Sequence, residues 1–208
     1  PTYIEKLDWD MDEYLYTYFL YDAAGRRAGK QVYNWKTDKW DTQFYVSEAY
    51  EVTRDTFGND KVEKYVFAGN QRVAMITTYP NMPPNPDTKD LLYLHKDHLG
   101  STTVVTYEDG SLLPNTDKQA QYRAYGEEKP HSGFSLSTAT SYAFTDQEWD
   151  NSTGLYNYDA RLYNPEIGMF VTADILLPEK YDPQQLNRFA YARNNPVIYI
   201  DPNGREVV

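Results

Sequence analysis

Tyr14-Leu15-Tyr16-Thr17-Tyr18-Phe19-Leu20-Tyr21 runs without a helical interval into Asp22-Ala23-Ala24-Gly25-Arg26, and this coupling of an aromatic run to an Asp-x-x-Gly turn decides the fold class. Tyr joins a large apolar body to a polar tip and suits a pleated surface with one wet side, so the run is predicted to be a strand. In the turn the Asp carboxylate can accept a neighbouring amide, and Gly25 can take the positive φ of a tight reversal. The same grammar recurs. Residues 31–35, 42–52, 62–67 and 72–79 read as strands separated by Thr37-Asp38-Lys39, by Phe57-Gly58-Asn59-Asp60 and by Gly69-Asn70, which makes successive hairpins the natural reading. Pro80, Pro83, Pro84 and Pro86 then remove ladder donors and mark an extended connection. Strands resume at 91–95, 102–107 and 119–125, with a turn at Glu108-Asp109-Gly110-Ser111. Leu186, Phe189 and Ala190 sit at intervals of three and four, so one short helix is predicted over Gln184–Ala192.

Tyr, Phe and Trp supply 21, 8 and 4 of the 208 residues, which favours an all-β chain over a mixed one. Its 20 basic and 31 acidic side chains give a formal net charge of −11, which argues against nucleic acid or an anionic membrane as partner. With no cysteine there is no disulfide framework, cysteine-zinc site, iron-sulfur cluster or thiol nucleophile. No apolar run approaches the length of a spanning helix, and Pro1 to Asp12 is acidic where a signal peptide is basic, so any export signal is expected outside this chain.

A second set of motifs follows residue 91. His95-Lys96-Asp97-His98-Leu99-Gly100-Ser101-Thr102 comes first, then Phe144-Thr145-Asp146-Gln147-Glu148 and Asp150-Asn151-Ser152-Thr153-Gly154-Leu155-Tyr156. Residues 160–170, from Ala160-Arg161-Leu162-Tyr163-Asn164-Pro165 to Met169-Phe170, precede Asp174, and Leu186-Asn187-Arg188-Phe189-Ala190-Tyr191, Asn194-Asn195-Pro196 and Asp201-Pro202-Asn203-Gly204 complete the series. In these blocks and their order the chain resembles the Rhs, or YD-repeat, family, whose repeat unit Tyr-Asp-x-x-Gly-Arg matches Tyr21 to Arg26. The resemblance is strong over 91–204 and looser over 14–79. It divides the chain into repeat hairpins at 1–79, a Pro-rich loop at 80–90 and a repeat-associated core domain at 91–208.

The resemblance implies an antiparallel β-sheet strip that belongs to a hollow shell, with the remaining YD-repeat shell and a C-terminal toxin or effector segment of the parent chain as partners. It implies a secreted or cell-surface bacterial protein without a cofactor. In the similar C components of Tc toxins the core domain cuts its own chain near the final Asp-x-x-Gly block, an aspartate-type autoprotease attributed to two aspartates and an arginine. Carried over, these are Asp174, Asp201 and Arg161, with the cut at Gly204 or Arg205. The chain departs from the self-cleaving pattern at Arg205, where a hydrophobic residue is usual, at Ile175 in place of proline, and at Met169 in place of arginine.

Read without the family, two carboxylates activate a water only when they are close enough for one to hold a proton and the other not. The competing reading makes Asp201 a turn residue, Asp174 a turn or cap, and Arg161 a strand residue with a salt bridge. His95, His98 and His131 suggest a metal, but on a strand His95 and His98 face opposite sides, so no metal is expected. The Tyr-rich strands admit a second function, an extracellular adhesin or carbohydrate-binding module. A strip of about ten strands leaves edges free for self-association, and one face is expected to carry Tyr, Thr and Gln while the other holds the acidic excess.

Overall fold

The computed structural model describes residues 3–8, 13–81, 89–113, 120–129, 139–175 and 186–208. Nine strands follow one another in a sheet whose spatial order is their chain order: β1 (Tyr3–Asp8), β2 (Glu13–Tyr21), β3 (Arg27–Asn34), β4 (Lys39–Ser47), β5 (Tyr50–Arg54), β6 (Asp60–Ala68), β7 (Gln71–Thr78), β8 (Lys89–Lys96) and β9 (Thr102–Tyr107). Each pair from β1 to β8 is antiparallel, as consecutive short connections require. A second antiparallel sheet holds β10 (Glu148–Asp150), β11 (Leu155–Tyr158), β12 (Arg161–Asn164) and β13 (Met169–Phe170), again in chain order. The fold is all-β. By contacts it forms two compact units, one of residues 1–94 with 106–111 and one of 95–105 with 112–208.

In the first unit, register assigns every side chain to a face. Val32, Asp41, Gln43, Glu51, Glu63, Thr77 and Asp90 share one side, and Tyr16, Tyr18, Tyr33, Trp40, Tyr50 and Tyr93 share the other. Four of the five described carboxylates on β2 to β8 therefore sit together, with Asp60 alone on the aromatic side, whereas Thr and Gln are found on both. The acidic face is also the more buried. Glu51 is 1% exposed and accepts from Gln43 Nε2 at 2.8 Å, and Glu63 pairs with Lys61 at 2.8 Å. On the other face Tyr18, Leu20, Phe44 and Val66 are exposed, and Trp40 lies edge-on to Tyr18 with ring centroids 5.3 Å apart.

Three expectations change in detail. Residues 42–52 do not form one strand: a reversal at Ser47–Tyr50, made without Gly, Pro or Asn and preceded by a register shift after Tyr45, splits them between β4 and β5. Within 119–125 the described residues form a single bridge in place of a strand, Tyr122 pairing with Glu128, and then a turn in which Gly126 N donates to Arg123 O; Gly126 has a φ of +87° and the Phe144 ring fills the place of its missing Cβ. The short helix near the C-terminus is a 3-10 turn at Ala192–Asn194; Gln184 and Gln185 lie outside the described residues, and Phe189 and Ala190 instead lie along β13, through Phe170 N to Phe189 O and a Met169 to Ala190 bridge. Pairing with β13 leaves Leu186 and Phe189 exposed, so the helical spacing has no buried face to serve. Of the Pro-rich loop, residues 82–88 lie outside the described residues, as does His131.

The second unit is built around aromatic rings. Tyr158, Tyr163, Tyr191, Phe144 and Phe170 are all at most 2% exposed and meet mostly edge to face, the Tyr158 ring standing 5.4 to 5.6 Å from those of Tyr163, Tyr191 and Phe170. Burial of a phenol demands a partner for its hydroxyl. Tyr158 OH bonds Thr145 Oγ1 at 2.8 Å and donates to Tyr191 OH at 3.2 Å, and Tyr163 OH donates to Tyr125 O at 2.8 Å. Lys96 Nζ is likewise satisfied, by Asp146 at 2.6 Å and Thr102 Oγ1 at 2.7 Å.

Candidate functional site

Asp-x-x-Gly turns recur, and their shared geometry explains what the last one does. Asp22 Oδ1 accepts the amides of Ala24 and Arg26 at 2.8 and 2.9 Å, Asp55 Oδ1 those of Phe57 and Asn59 at 2.8 Å each, and Asp97 Oδ1 those of Leu99 and Ser101 at 2.9 and 2.8 Å. In all three the main chain closes the turn as well, with the Asp amide donating to the fifth residue and the Gly amide to the Asp carbonyl. Asp201 Oδ1 repeats the pattern toward Asn203 and Arg205 at 3.3 and 3.0 Å, but among the described residues those two main-chain bonds are not made there. Asp201 is also 1% exposed, where Asp22 is on the surface.

The difference is Arg161. This residue opens β12 directly after the Tyr158–Arg161 reversal, and its guanidinium lies on the Phe170 ring at 3.7 Å, which fixes its plane. Its Nε donates to Gly204 O at 2.5 Å, its Nη1 to Arg188 O at 3.0 Å, and its Nη2 meets Asp174 Oδ2 at 2.9 Å and Asp201 Oδ2 at 3.4 Å. Because both carboxylates end on the same nitrogen, their Oδ2 atoms are within 6.3 Å of each other, the sum of those two distances. Asp174, Asp201, Arg161 and Gly204 are thus brought together. Arg205 joins them through its amide while its side chain is exposed.

Two residues that sequence reasoning left without a role hold this arrangement. Arg188 accepts the Asp174 amide at 2.9 Å with its own carbonyl, and its guanidinium donates to Asp174 O through Nε at 2.7 Å and through Nη2. Asn203 Oδ1 takes the amides of Arg205 and Glu206 at 3.0 and 3.2 Å. Both lie inside quoted motif blocks, but nothing in their spacing says which atom they hold. The exposed side chains of Ile175 and Met169 make those two departures from the family pattern surface changes.

The electrostatics separate Asp201 from the ordinary turn aspartates. The amide of Arg26 leads in holding the Asp22 carboxyl below its usual range. Burial pushes Asp201 the other way, above the usual value, against the pull of the Arg205 amide and Arg161. Burial lowers Arg161 from the ordinary arginine value, opposed by Asp174 and Asp201. Asp201 thus takes up a proton more readily than a surface turn aspartate does, although Arg161 and the turn amides oppose it.

No family model matches the chain. It is 33% identical over 202 residues to salivary gland surface protein 1 of Aedes aegypti, covering 91% of this chain and 5% of that one. It is 27% identical to the tRNA3(Ser)-specific nuclease WapA of Bacillus spizizenii (91% and 7%) and 26% identical to the toxin subunit YenC1 of Yersinia entomophaga (89% and 19%). The TcdB2-TccC3 crystal structure without its hypervariable C-terminal region superimposes with a TM-score of 0.75 at 20% identity, over 98% of this chain and 10% of that one. In sequence the chain is similar to toxin proteins of this kind, in fold it matches a piece of that Tc structure, and it spans a twentieth to a fifth of the length of the relatives named here. Among the described residues no helix is long and apolar enough to cross a membrane.

Proposed function

We propose that this chain is the C-terminal shell segment of an Rhs-type toxin, secreted or displayed at the bacterial surface, which encloses or presents an effector and cuts its own backbone between Gly204 and Arg205. The observation that carries the cut is that both ends of that peptide are held: Arg161 Nε donates to its carbonyl oxygen and Asp201 Oδ1 accepts its N–H. Asp174, the more exposed carboxylate, takes a proton from water, and the resulting hydroxide adds to the Gly204 carbonyl carbon. Negative charge gathers on the Gly204 oxygen, where the Arg161 N–H already points. Asp201, protonated, gives its proton to the Arg205 nitrogen as the C–N bond breaks, leaving a Gly204 carboxyl and an Arg205 amine. The proton gained by Asp174 restores the single proton of the pair.

The test uses the chain extended after Val208 by a folded reporter, with cleavage followed on gels. Asp174→Asn and Asp201→Asn are each expected to slow the cut by about a hundredfold or more. Retention of the parent rate in both leaves these residues as turn chemistry. A pH series adds a sign. Because the folded pKa of Asp201 is raised, its proton is present on the acid side and lost as pH rises through that value, so the rate is expected to fall there by about tenfold per pH unit. The same group's contribution to stability is complete below the ordinary carboxylate pKa and lost over the same rise.

The adhesin or carbohydrate-binding reading is supported by the similarity to an insect surface protein and by the exposed Tyr18 and Trp40 rings. Binding to a glycan array that is lost in Trp40→Ala would favour it.

A further inference from the structure

The last Asp-x-x-Gly turn departs from the others at its amide as well as at its carboxyl, and Arg161 accounts only for the carboxyl. In the turns at Asp22, Asp55 and Asp97 the Asp amide donates to the carbonyl of the fifth residue at 2.8, 3.0 and 2.9 Å, which draws the chain shut. Among the described residues the equivalent bond from Asp201 N to Arg205 O is not made. Tyr191 stands in its place. Its fully buried ring is held by Tyr163, Tyr158 and Phe170, with centroids 4.6, 5.5 and 5.9 Å away, and Phe170 is the ring on which the Arg161 guanidinium lies. The Tyr191 hydroxyl accepts from Tyr158 OH at 3.2 Å, Tyr158 OH is bonded in turn to Thr145 Oγ1, and Thr145 N donates to Ser101 Oγ at 3.1 Å. Burial leads in pushing the Tyr191 phenol up, and the hydroxyls of Tyr158 and Thr145 and the main-chain N–H of Asp201 oppose it. The Asp201 amide therefore faces a phenol oxygen where its counterparts face a carbonyl.

We propose that Tyr191 is a positioning residue for Asp201: its hydroxyl takes the Asp201 N–H away from Arg205 O, keeps the last turn open, and leaves the carboxyl buried beside Arg161. This deepens the self-cleavage reading and rests on it. A closed turn would give Asp201 the geometry of Asp22, whose carboxyl is on the surface. Rings enclose the Tyr191 oxygen, so once it is removed the Asp201 amide is left to the turn carbonyl. The groups that face Asp201 are Arg161 of β12, the amides of Asn203 and Arg205 in its own turn, and Tyr191, with Asp174 across the guanidinium. Tyr191 can be changed without touching that guanidinium or the cut bond.

The test compares two phenols of the same core in the reporter-extended chain. Tyr191→Phe is expected to be cut at the same bond about thirtyfold more slowly, with the fall of the rate on raising the pH beginning about one pH unit lower, because an Asp in a closed turn is held low by the turn amides, as Asp22 is. Tyr163→Phe loses an equally buried hydroxyl, whose partner is Tyr125 O, and is expected to stay within about threefold of the parent rate with the parent's pH midpoint, although both variants melt lower. Equal rates in the two variants overturn the inference and leave the self-cleavage reading standing. A slow Tyr191→Phe with the parent's pH midpoint reports lost packing alone and overturns it too. Should Tyr191→Phe fail to fold, the Asp174→Asn chain, kept uncut, decides by NMR. Coupling across the hydrogen bond from the Asp amide to the fifth carbonyl is expected at Asp22, Asp55 and Asp97 and not at Asp201, and its appearance at Asp201 overturns the inference. A parent that is never cut overturns the self-cleavage reading itself.

Discussion

Replacing Arg161 by Met is expected to cost about 3–5 kcal/mol of stability and to abolish cleavage. The guanidinium is the only described cation that meets both carboxylates of the site, and removing it leaves Asp201 at 1% exposure and Asp174 without their shared partner. It also strands the carbonyl of Gly204 and takes from the Arg188 carbonyl one of its two donors, the Asp174 amide remaining. Breaking a buried charge cluster on one side costs far more than the cluster contributes as a whole, because the remaining charges stay desolvated. Thermal denaturation should register a fall of roughly 10 °C for a chain of this size. Arg161→Lys separates the two consequences. An ammonium can meet the carboxylates but cannot also reach both carbonyls in the plane that the Phe170 ring fixes, so stability should recover in part while cleavage stays about a hundredfold down. A melting temperature unchanged in Arg161→Met would show that the cluster bears no strain of this kind.

Tyr158→Ala is expected to be about as damaging, at roughly 3–5 kcal/mol, because this fully buried ring is in contact with Tyr163, Tyr191 and Phe170 and its loss opens a cavity at their centre. Tyr158→Phe keeps the ring and removes only the hydroxyl, leaving Thr145 and Tyr191 to re-pair, and should cost about 1–2 kcal/mol. Urea titrations with an unchanged m-value measure both. Equal costs for the two variants would mean that the hydroxyl network, and not the ring packing, organises this core.

The hairpins are legible wherever a turn carries its own chemistry. Asp22 to Gly25, Asp55 to Gly58 and Asp97 to Gly100 announce themselves by an acceptor at the first position and a glycine at the fourth, and all three form with the same bonds. The reversal at Ser47–Tyr50 has an acceptor at its first position, Ser47 Oγ taking the Ala49 amide at 3.3 Å, but no glycine at its fourth, and the ladder of β4 and β5 closes around it, so it is nearly silent in the sequence. The misplaced helix has the converse cause. Leu186, Phe189 and Ala190 carry a helical spacing, but tertiary pairing of Phe189 with Phe170 claims the backbone first.

The site divides in the same way. Asp174, Asp201 and Arg161 can be named from motif order, since each lies in a block of recognisable composition, and the structure gathers them on one guanidinium. What spacing does not contain is the difference between Asp201 and its look-alikes at Asp22, Asp55 and Asp97. That difference is burial and the presence of Arg161, both supplied by strands 40 or more residues away in sequence. The supporting roles of Arg188 and Asn203 are equally tertiary, depending on which carbonyl or amide the fold delivers to them.

The most direct measurement of the central claim is cleavage of the reporter-extended chain in water enriched in oxygen-18, with both fragments weighed by mass spectrometry. The account expects one fragment that ends at Gly204 and carries a single heavy oxygen in its new carboxyl group, and one that begins at Arg205 and carries none. An uncut chain, a cut at another bond, or a Gly204 carboxyl without the heavy atom would contradict it.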